Sequence, residues 1–137
     1  MFKSILVAID LEDPTSWSRV VPIVLPLARS SGARLTLATV ITQHSLDQQW
    51  SPAAYRENIE LARVRLCSLA DTCGDLPREV VVADGRVGPE ILEMARGAEA
   101  DLIVIASHPP GLRDYVLGGN ASYIVSRAPC SVLVVRE

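Results

Sequence analysis

Aromatic residues are scarce: they make up 4% of the 137 residues, and phenylalanine occurs once. A chain this poor in rings must fill its core with Val, Ile, Leu and Ala, and 49% of its residues are hydrophobic. Buried parallel strands with helices on both faces have that composition, and it leaves no room for a disordered chain. Cysteine is sparse and odd in number, and Cys67, Cys73 and Cys130 form no C-x-x-C pair and stand near no histidine at zinc-ligand spacing. They read as structural thiols, with Cys130, beside Pro129, as a small buried residue at the mouth of the last strand. Long apolar runs are absent too. The longest, residues 20–28, is interrupted by Pro22 and Pro26 and is far too short to span a bilayer. The opening MFKSILVAID enters a strand pattern directly, with nothing of the signal-peptide kind, so the expected location is the cytoplasm and no membrane insertion is expected. Neither sign of charge dominates: the net charge is −3 with acids and bases interspersed. With no cationic stripe to neutralise a phosphate backbone, duplex nucleic acid is a poor partner.

Several catalytic signatures are also missing. No G-x-x-x-x-G-K-[ST] and no G-x-G-x-x-G follows the first strand, where ILVAIDLEDP stands, which excludes a P-loop ATPase and a Rossmann dehydrogenase. No G-x-S-x-G elbow or Cys/His dyad is present, and His44 stands alone. No catalytic group and no metal site is assigned.

What the chain does have is rhythm. Apolar runs of strand length recur at residues 4–9, 35–41, 79–83, 102–106 and 131–135, and each except the last is followed by a helix-like stretch. This length is one domain, residues 1–137, with a single core. Such alternation predicts an α/β fold, a five-stranded parallel doubly wound sheet with helices on both faces, Rossmann-like in outline. The first helix is expected to start near Asp13, capped by its carboxylate with Pro14 at the first helical position, to bend at Pro22 and Pro26, and to end at Gly32. A second runs from about Pro52 to Cys73, with Ile59, Ala62, Leu66 and Leu69 inward and Arg56, Glu60, Arg63 and Arg65 mostly outward. The third opens at Gly88-Pro89 and turns Ile91, Leu92 and Ala95 toward the sheet; the fourth begins near Gly119. The polar segment 42–51 around Trp50 fits a functional lid and a plain connector equally well.

In an open parallel sheet, ligands bind beyond the carboxyl ends of the strands where neighbouring crossovers diverge. This rule selects Ala8, Ile9 and Asp10 after the first strand, Thr39 and Val40 at the end of the second, and Ala106, Ser107 and His108 after the fourth. Asp10 offers an acceptor for a base amino group, a ribose hydroxyl or a metal, or else anchors its own turn. Val40 offers an apolar surface for a flat base, or core packing. Gly118 and Gly119 lack Cβ atoms and lead into a helix whose unpaired N–H groups and positive dipole end suit a phosphate. A tight turn is the alternative for such a pair, and the strand before it and the helix after it favour the anion. Asn120 adds an amide. Arg113 can reach a terminal phosphate as a bidentate donor or remain a solvated surface arginine. Pro109 and Pro110 remove two N–H donors from the loop.

These residues together resemble the universal stress protein family over essentially the whole chain. KSILVAID is similar to its first strand, GPEILEMARGAEADLIVIAS to its third helix and fourth strand, and LGGNASYIVSRAPCSVLVVR to its closing segment. The family's nucleotide-binding signature, G-x2-G-x9-G-[ST], is not intact: Ala106 and Pro109 stand at the first two glycines, the loop is one residue shorter, and Gly119 replaces the hydroxyl residue. The string ASHPPGLRDYVLGGNAS instead resembles a nucleotide-binding sub-branch with A-S-H-R-P-x5-L-G-S-N-A. There Ala106, Ser107, His108, Leu117, Gly118, Asn120 and Ala121 match, while Pro109 replaces an Arg and Gly119 a Ser. Each lost charge-assisted bond is worth roughly 1.5–3 kcal/mol, so affinity is expected to be reduced.

The resemblance implies an adenine-nucleotide-binding regulatory protein that takes ATP, with or without magnesium. The base would lie near Asp10 and Val40, and the phosphates against Gly118, Gly119, Asn120, Ala121 and Ser122. It also implies a homodimer paired through the terminal strand, an unidentified regulatory protein partner, and at most very slow ATP hydrolysis. The other reading open at this point is a nucleotide-independent dimeric interaction module with a degenerate site, favoured by Pro109, Pro110 and Gly119.

Overall fold

The computed structural model describes residues 1–42, 51–107 and 118–136. Strands and helices alternate in the order β1 (Ser4–Ala8), α1 (Thr15–Ser31), β2 (Arg34–Ile41), α2 (Pro52–Asp71), β3 (Arg78–Asp84), α3 (Val87–Gly97), β4 (Leu102–Ala106), α4 (Gly119–Arg127) and β5 (Ser131–Val135). All five strands are parallel, in the order β3-β2-β1-β4-β5. The expected doubly wound α/β fold is therefore present, and β4 and β5 coincide with the apolar runs that marked them.

Side chains on a strand alternate between faces, so each strand feeds two cores. Ile5, Val7 and Ile9 pack with Val20 and Val24 of α1 and Leu66 of α2. Leu6, on the other face, packs with Ile91 and Leu92 of α3 and Ile124 of α4. The chain steps outward from β1 to β2 to β3, then returns across the sheet to place β4 on the far side of β1. Right-handed crossovers in opposite directions put α1 and α2 on one face and α3 and α4 on the other, and they diverge between the carboxyl ends of β1 and β4.

Helix ends follow their local chemistry. Pro14 has helical dihedrals (φ −65, ψ −16), and the Asp13 carboxylate accepts from the Thr15 N–H at 3.0 Å, the cap that the sequence suggests. The helix continues through Pro22 and Pro26 and closes on Gly32, whose φ of 65 lies in the left-handed region that glycine tolerates best. α2 opens with the Ser51 hydroxyl accepting from Ala54 N–H at 3.1 Å. It ends at Asp71 rather than Cys73, because the Thr72 and Cys73 N–H groups bond Leu69 and Ala70, three residues back, and tighten the last turn. The inward and outward faces fall as the pattern predicts: Ala62 and Leu66 are buried, and Arg56, Glu60, Arg63 and Arg65 are exposed. Of the thiols, Cys73 is buried, Cys130 half-buried and Cys67 exposed, so the structural reading holds best for Cys73. Burial pushes the Cys73 thiol up, and Arg78 and Arg29 only partly offset this.

Asp101, just before β4, ties the amino ends of β1 and β4 together: its carboxylate accepts from the backbone N–H of Lys3 at 2.9 Å and of Ser4 at 3.1 Å. Burial pushes this carboxyl up, but those bonds, one from its own backbone and the nearby Lys3 charge together hold it below its ordinary value. A carboxyl lowered in the folded state contributes stability above its unfolded pKa of about 3.9, lost as pH falls through the lower folded value. Denaturant unfolding from pH 7 to pH 2 should therefore show a smaller acid-dependent loss in Asp101→Asn than in the parent, and identical slopes would remove Asp101 from the account.

Candidate functional site

Where the crossovers diverge, the carboxyl ends of β1, β2 and β4 and the amino end of α4 enclose a cavity of about 630 Å3. That is room for one nucleotide-sized ligand. β1 and its exit contribute Ala8, Ile9 and Asp10; β2 contributes Thr39 and Val40; the end of β4 contributes Ala106 and Ser107. The start of α4 supplies Gly118, Gly119, Asn120 and Ala121. The structure thus brings together eleven of the residues that the sequence selects. It does not bring Ser122, which is absent from the lining and whose N–H already donates to the Gly118 carbonyl at 2.9 Å. His108, Arg113 and Leu117 lie outside the described residues.

The β1 end is rich in acceptors. The Asp10 carboxylate accepts from the Glu12 N–H at 2.9 Å, so it anchors its own turn, and the residue also lines the cavity. Its own N–H donates to the Ser16 hydroxyl at 3.3 Å, which holds the turn against the first residues of α1. Thr39 is buried, and its hydroxyl donates to the Ile9 carbonyl at 2.8 Å, so Thr39 fixes the floor between β1 and β2. Val40 is half-buried; it both packs against the α3/α4 core and faces the cavity.

The α4 end is rich in donors. The Ser122 N–H donates to the Gly118 carbonyl, and the first N–H groups of a helix, here those of Gly119, Asn120 and Ala121, bond no residue within the helix itself. Neither glycine is demanded by the backbone: Gly118 has ordinary extended dihedrals (φ −61, ψ 162), and a Cβ on Gly118 or Gly119 would meet nothing within 4 Å among the described residues. Gly88 is the opposite case. A Cβ there would lie 2.5 Å from the Tyr123 ring, so this glycine lets α4 pack closely on α3 and sets where the α4 end stands. The charged lining residues among those described, Asp10, Glu12 and Arg65, all belong to the β1–α1 turn and α2; the α4 end contributes backbone dipole and the Asn120 amide.

Two contributors escape the strand-end rule. Arg19 of α1 donates to the Ser107 carbonyl at 2.9 Å and to the Asp13 carboxylate at 2.9 Å, with both side chains of that ion pair mostly buried (15% and 12% exposed). It thereby ties the end of β4 to the β1–α1 turn. α2 adds Asn58, Leu61, Ala62 and Arg65 to the lining, and Arg65 donates to the Leu11 carbonyl at 2.7 Å. The i, i+3, i+4, i+7 spacing of those four was the available signal, masked by the stronger sheet-facing stripe one residue away. Among the described residues no cluster of His, Cys, Asp and Glu could hold a metal, and no helix is long and apolar enough to cross a membrane.

An open parallel sheet of this order, with a strand-end crevice facing a helix amino terminus, defines a doubly wound α/β protein. Residues 1–136 match the model of the universal stress protein family, and the chain belongs to that family. A Thermus aquaticus protein, the universal stress protein in QAH/OAS sulfhydrylase 3′region, is 33% identical over 141 residues, covering 99% of this chain and 100% of its own. Among solved structures, a universal stress protein in complex with cAMP superposes with a TM-score of 0.69 at 22% identity, over 98% of this chain and 97% of that one. The universal stress protein from Archaeoglobus fulgidus in complex with dAMP gives 0.65 at 18% identity, over 97% of each chain.

The Arg19 tie yields a prediction. Removing Arg19 takes a counter-charge from the largely buried Asp13 carboxylate and a donor from the Ser107 carbonyl. Arg19→Ala should lower unfolding stability by about 2–3 kcal/mol in urea titrations. A change below about 0.5 kcal/mol, the range of ordinary surface substitutions, would mean that the pair positions nothing.

Proposed function

We propose that this protein is an adenine-nucleotide-binding regulator of the stress response, with ATP as its ligand and nucleotide-dependent contact with a protein partner as its output. The observation that carries the reading is the division of the cavity: acceptors and apolar surface at the β1–β2 end, a helix amino terminus and two glycines at the α4 end. A purine nucleoside presents an amino group, ribose hydroxyls and a flat face to the first, and a phosphate to the second. Two relatives in fold, solved with cAMP and with dAMP, add weight to the adenine nucleotide class. The protein acts as a binder rather than an enzyme, with at most very slow hydrolysis, a reading supported by the lack of an assigned water-activating group among the described lining residues. It works in the cytoplasm as a homodimer paired through β5, whose other side is a sheet edge that a second copy would cover.

The glycine pair also supports the reading, because neither φ nor packing requires it. What a bare backbone leaves at that point is room for a ligand to approach the N–H groups.

Isothermal titration of nucleotide-stripped protein with ATP, ADP and AMP, with and without magnesium, should give saturable binding near one per chain. Gly118→Val should abolish it while the unfolding midpoint holds. No heat up to millimolar ligand from folded protein would favour the nucleotide-independent interaction module instead.

Gly119→Ser should act in the opposite direction. The new side chain has open space and sets a hydroxyl donor at the helix start, so ATP should bind roughly tenfold tighter, in line with one charge-assisted hydrogen bond. Unchanged or weaker binding in the same titration would move the phosphates away from this turn.

A further inference from the structure

The crevice has a wall that the strand-end rule does not supply. Leu61 of α2 lines the cavity yet is 57% exposed, a large apolar side chain left uncovered beside an opening. Ala62 lies next to it, and Asn58 and Arg65 flank the pair at one turn's distance on either side. Ile9 and Val40 line the same cavity, so the opening beside Leu61 has further apolar surface within it. Arg65 spends one donor on the Leu11 carbonyl, and its others bond no described residue. Asn58 donates its amide to the Ala54 carbonyl at 2.8 Å. The same helix carries an internal comparison: Val64 is 54% exposed and does not line the cavity.

We propose that α2 covers the base of the bound nucleotide, with Leu61 against its flat face and Arg65 over its outer edge. This rests on the adenine nucleotide reading above and adds the element that recognises the base. An apolar side chain beside a slot gains by being removed from water only when something flat and apolar enters, and a purine ring has that shape. A guanidinium held at the rim by the Leu11 carbonyl is placed to lie on a ring, a contact arginine makes well because its plane is rigid and weakly hydrated. The base is thereby clasped between a strand end and a helix, while the phosphate is held by backbone at the other end.

AMP and ribose 5-phosphate differ by the base alone, so titrating both separates this wall from the phosphate site. Leu61→Ser should weaken AMP about tenfold and leave ribose 5-phosphate unchanged. Arg65→Ala should weaken AMP about threefold with the same selectivity. Val64→Ser, as exposed but outside the slot, should change neither. AMP binding in Leu61→Ser equal to the parent, or a parallel loss of both ligands, overturns the proposal while the nucleotide reading stands. Failure of the parent protein to bind any adenine nucleotide removes both. Should ribose 5-phosphate prove too weak to titrate, the contrast between Leu61→Ser and Val64→Ser toward AMP decides alone, equal affinities counting against it.

Discussion

Parallel strands cannot be joined by a hairpin, and each junction must cross the sheet through a helix whose hand is fixed. Once β1 has β2 on one side and β4 on the other, the crossover that leaves β1 and the crossover that enters β4 lie on opposite faces, and a gap opens at the carboxyl ends of these two strands. Everything described at the site is a response to that gap. Thr39 closes its floor by bonding the Ile9 carbonyl, Asp10 folds the exit of β1 back on itself, and Arg19 draws the end of β4 toward the β1–α1 turn. The core on either face, Val20 and Val24 below and Ile91 and Ile124 above, keeps the two sides from closing together.

The two ends of the cleft obtain their character by different means. At the α4 end the charge preference is a backbone property, so side chains there can shrink to glycine without losing it, and Gly88 controls the position of the helix from behind through Tyr123. At the β1 end the preference is built from side chains and turn carbonyls, and it depends on neighbours holding their rotamers. The altered signature touches both the α4 end, where Gly119 stands in place of a hydroxyl residue, and the end of β4, where Ala106 stands at the first glycine.

The fold was legible because strand runs such as LIVIA and SVLVV are short, apolar and bounded by turn residues, and because parallel sheets leave few alternatives for a chain that alternates this way. Cap chemistry was legible where one side chain decides it, as at Asp13 and Gly32. Legibility ended where tertiary placement decides. The periodicity of α2 accounts for Ala62 and Leu66 facing the sheet, and Leu61 and Arg65, about 100° away on the same helix, look like ordinary surface until the β1–α1 turn is set beside them. Ser122 lies outside the lining for a similarly local reason: adjacency in sequence to Asn120 and Ala121 says nothing about whose N–H the helix has already used.

The three thiols sit in three different environments, and the difference has a practical side. Cys73 is buried and Cys130 half-buried, each with its thiol pushed up by burial, in Cys130 with help from Asp101, so both stay protonated and poorly nucleophilic at neutral pH. Cys67 alone is exposed, on the helix that walls the cavity and two residues beyond Arg65. A maleimide fluorophore added to the unmodified chain therefore attaches at one defined point close to the crevice, and the natural sequence comes with its own optical probe position.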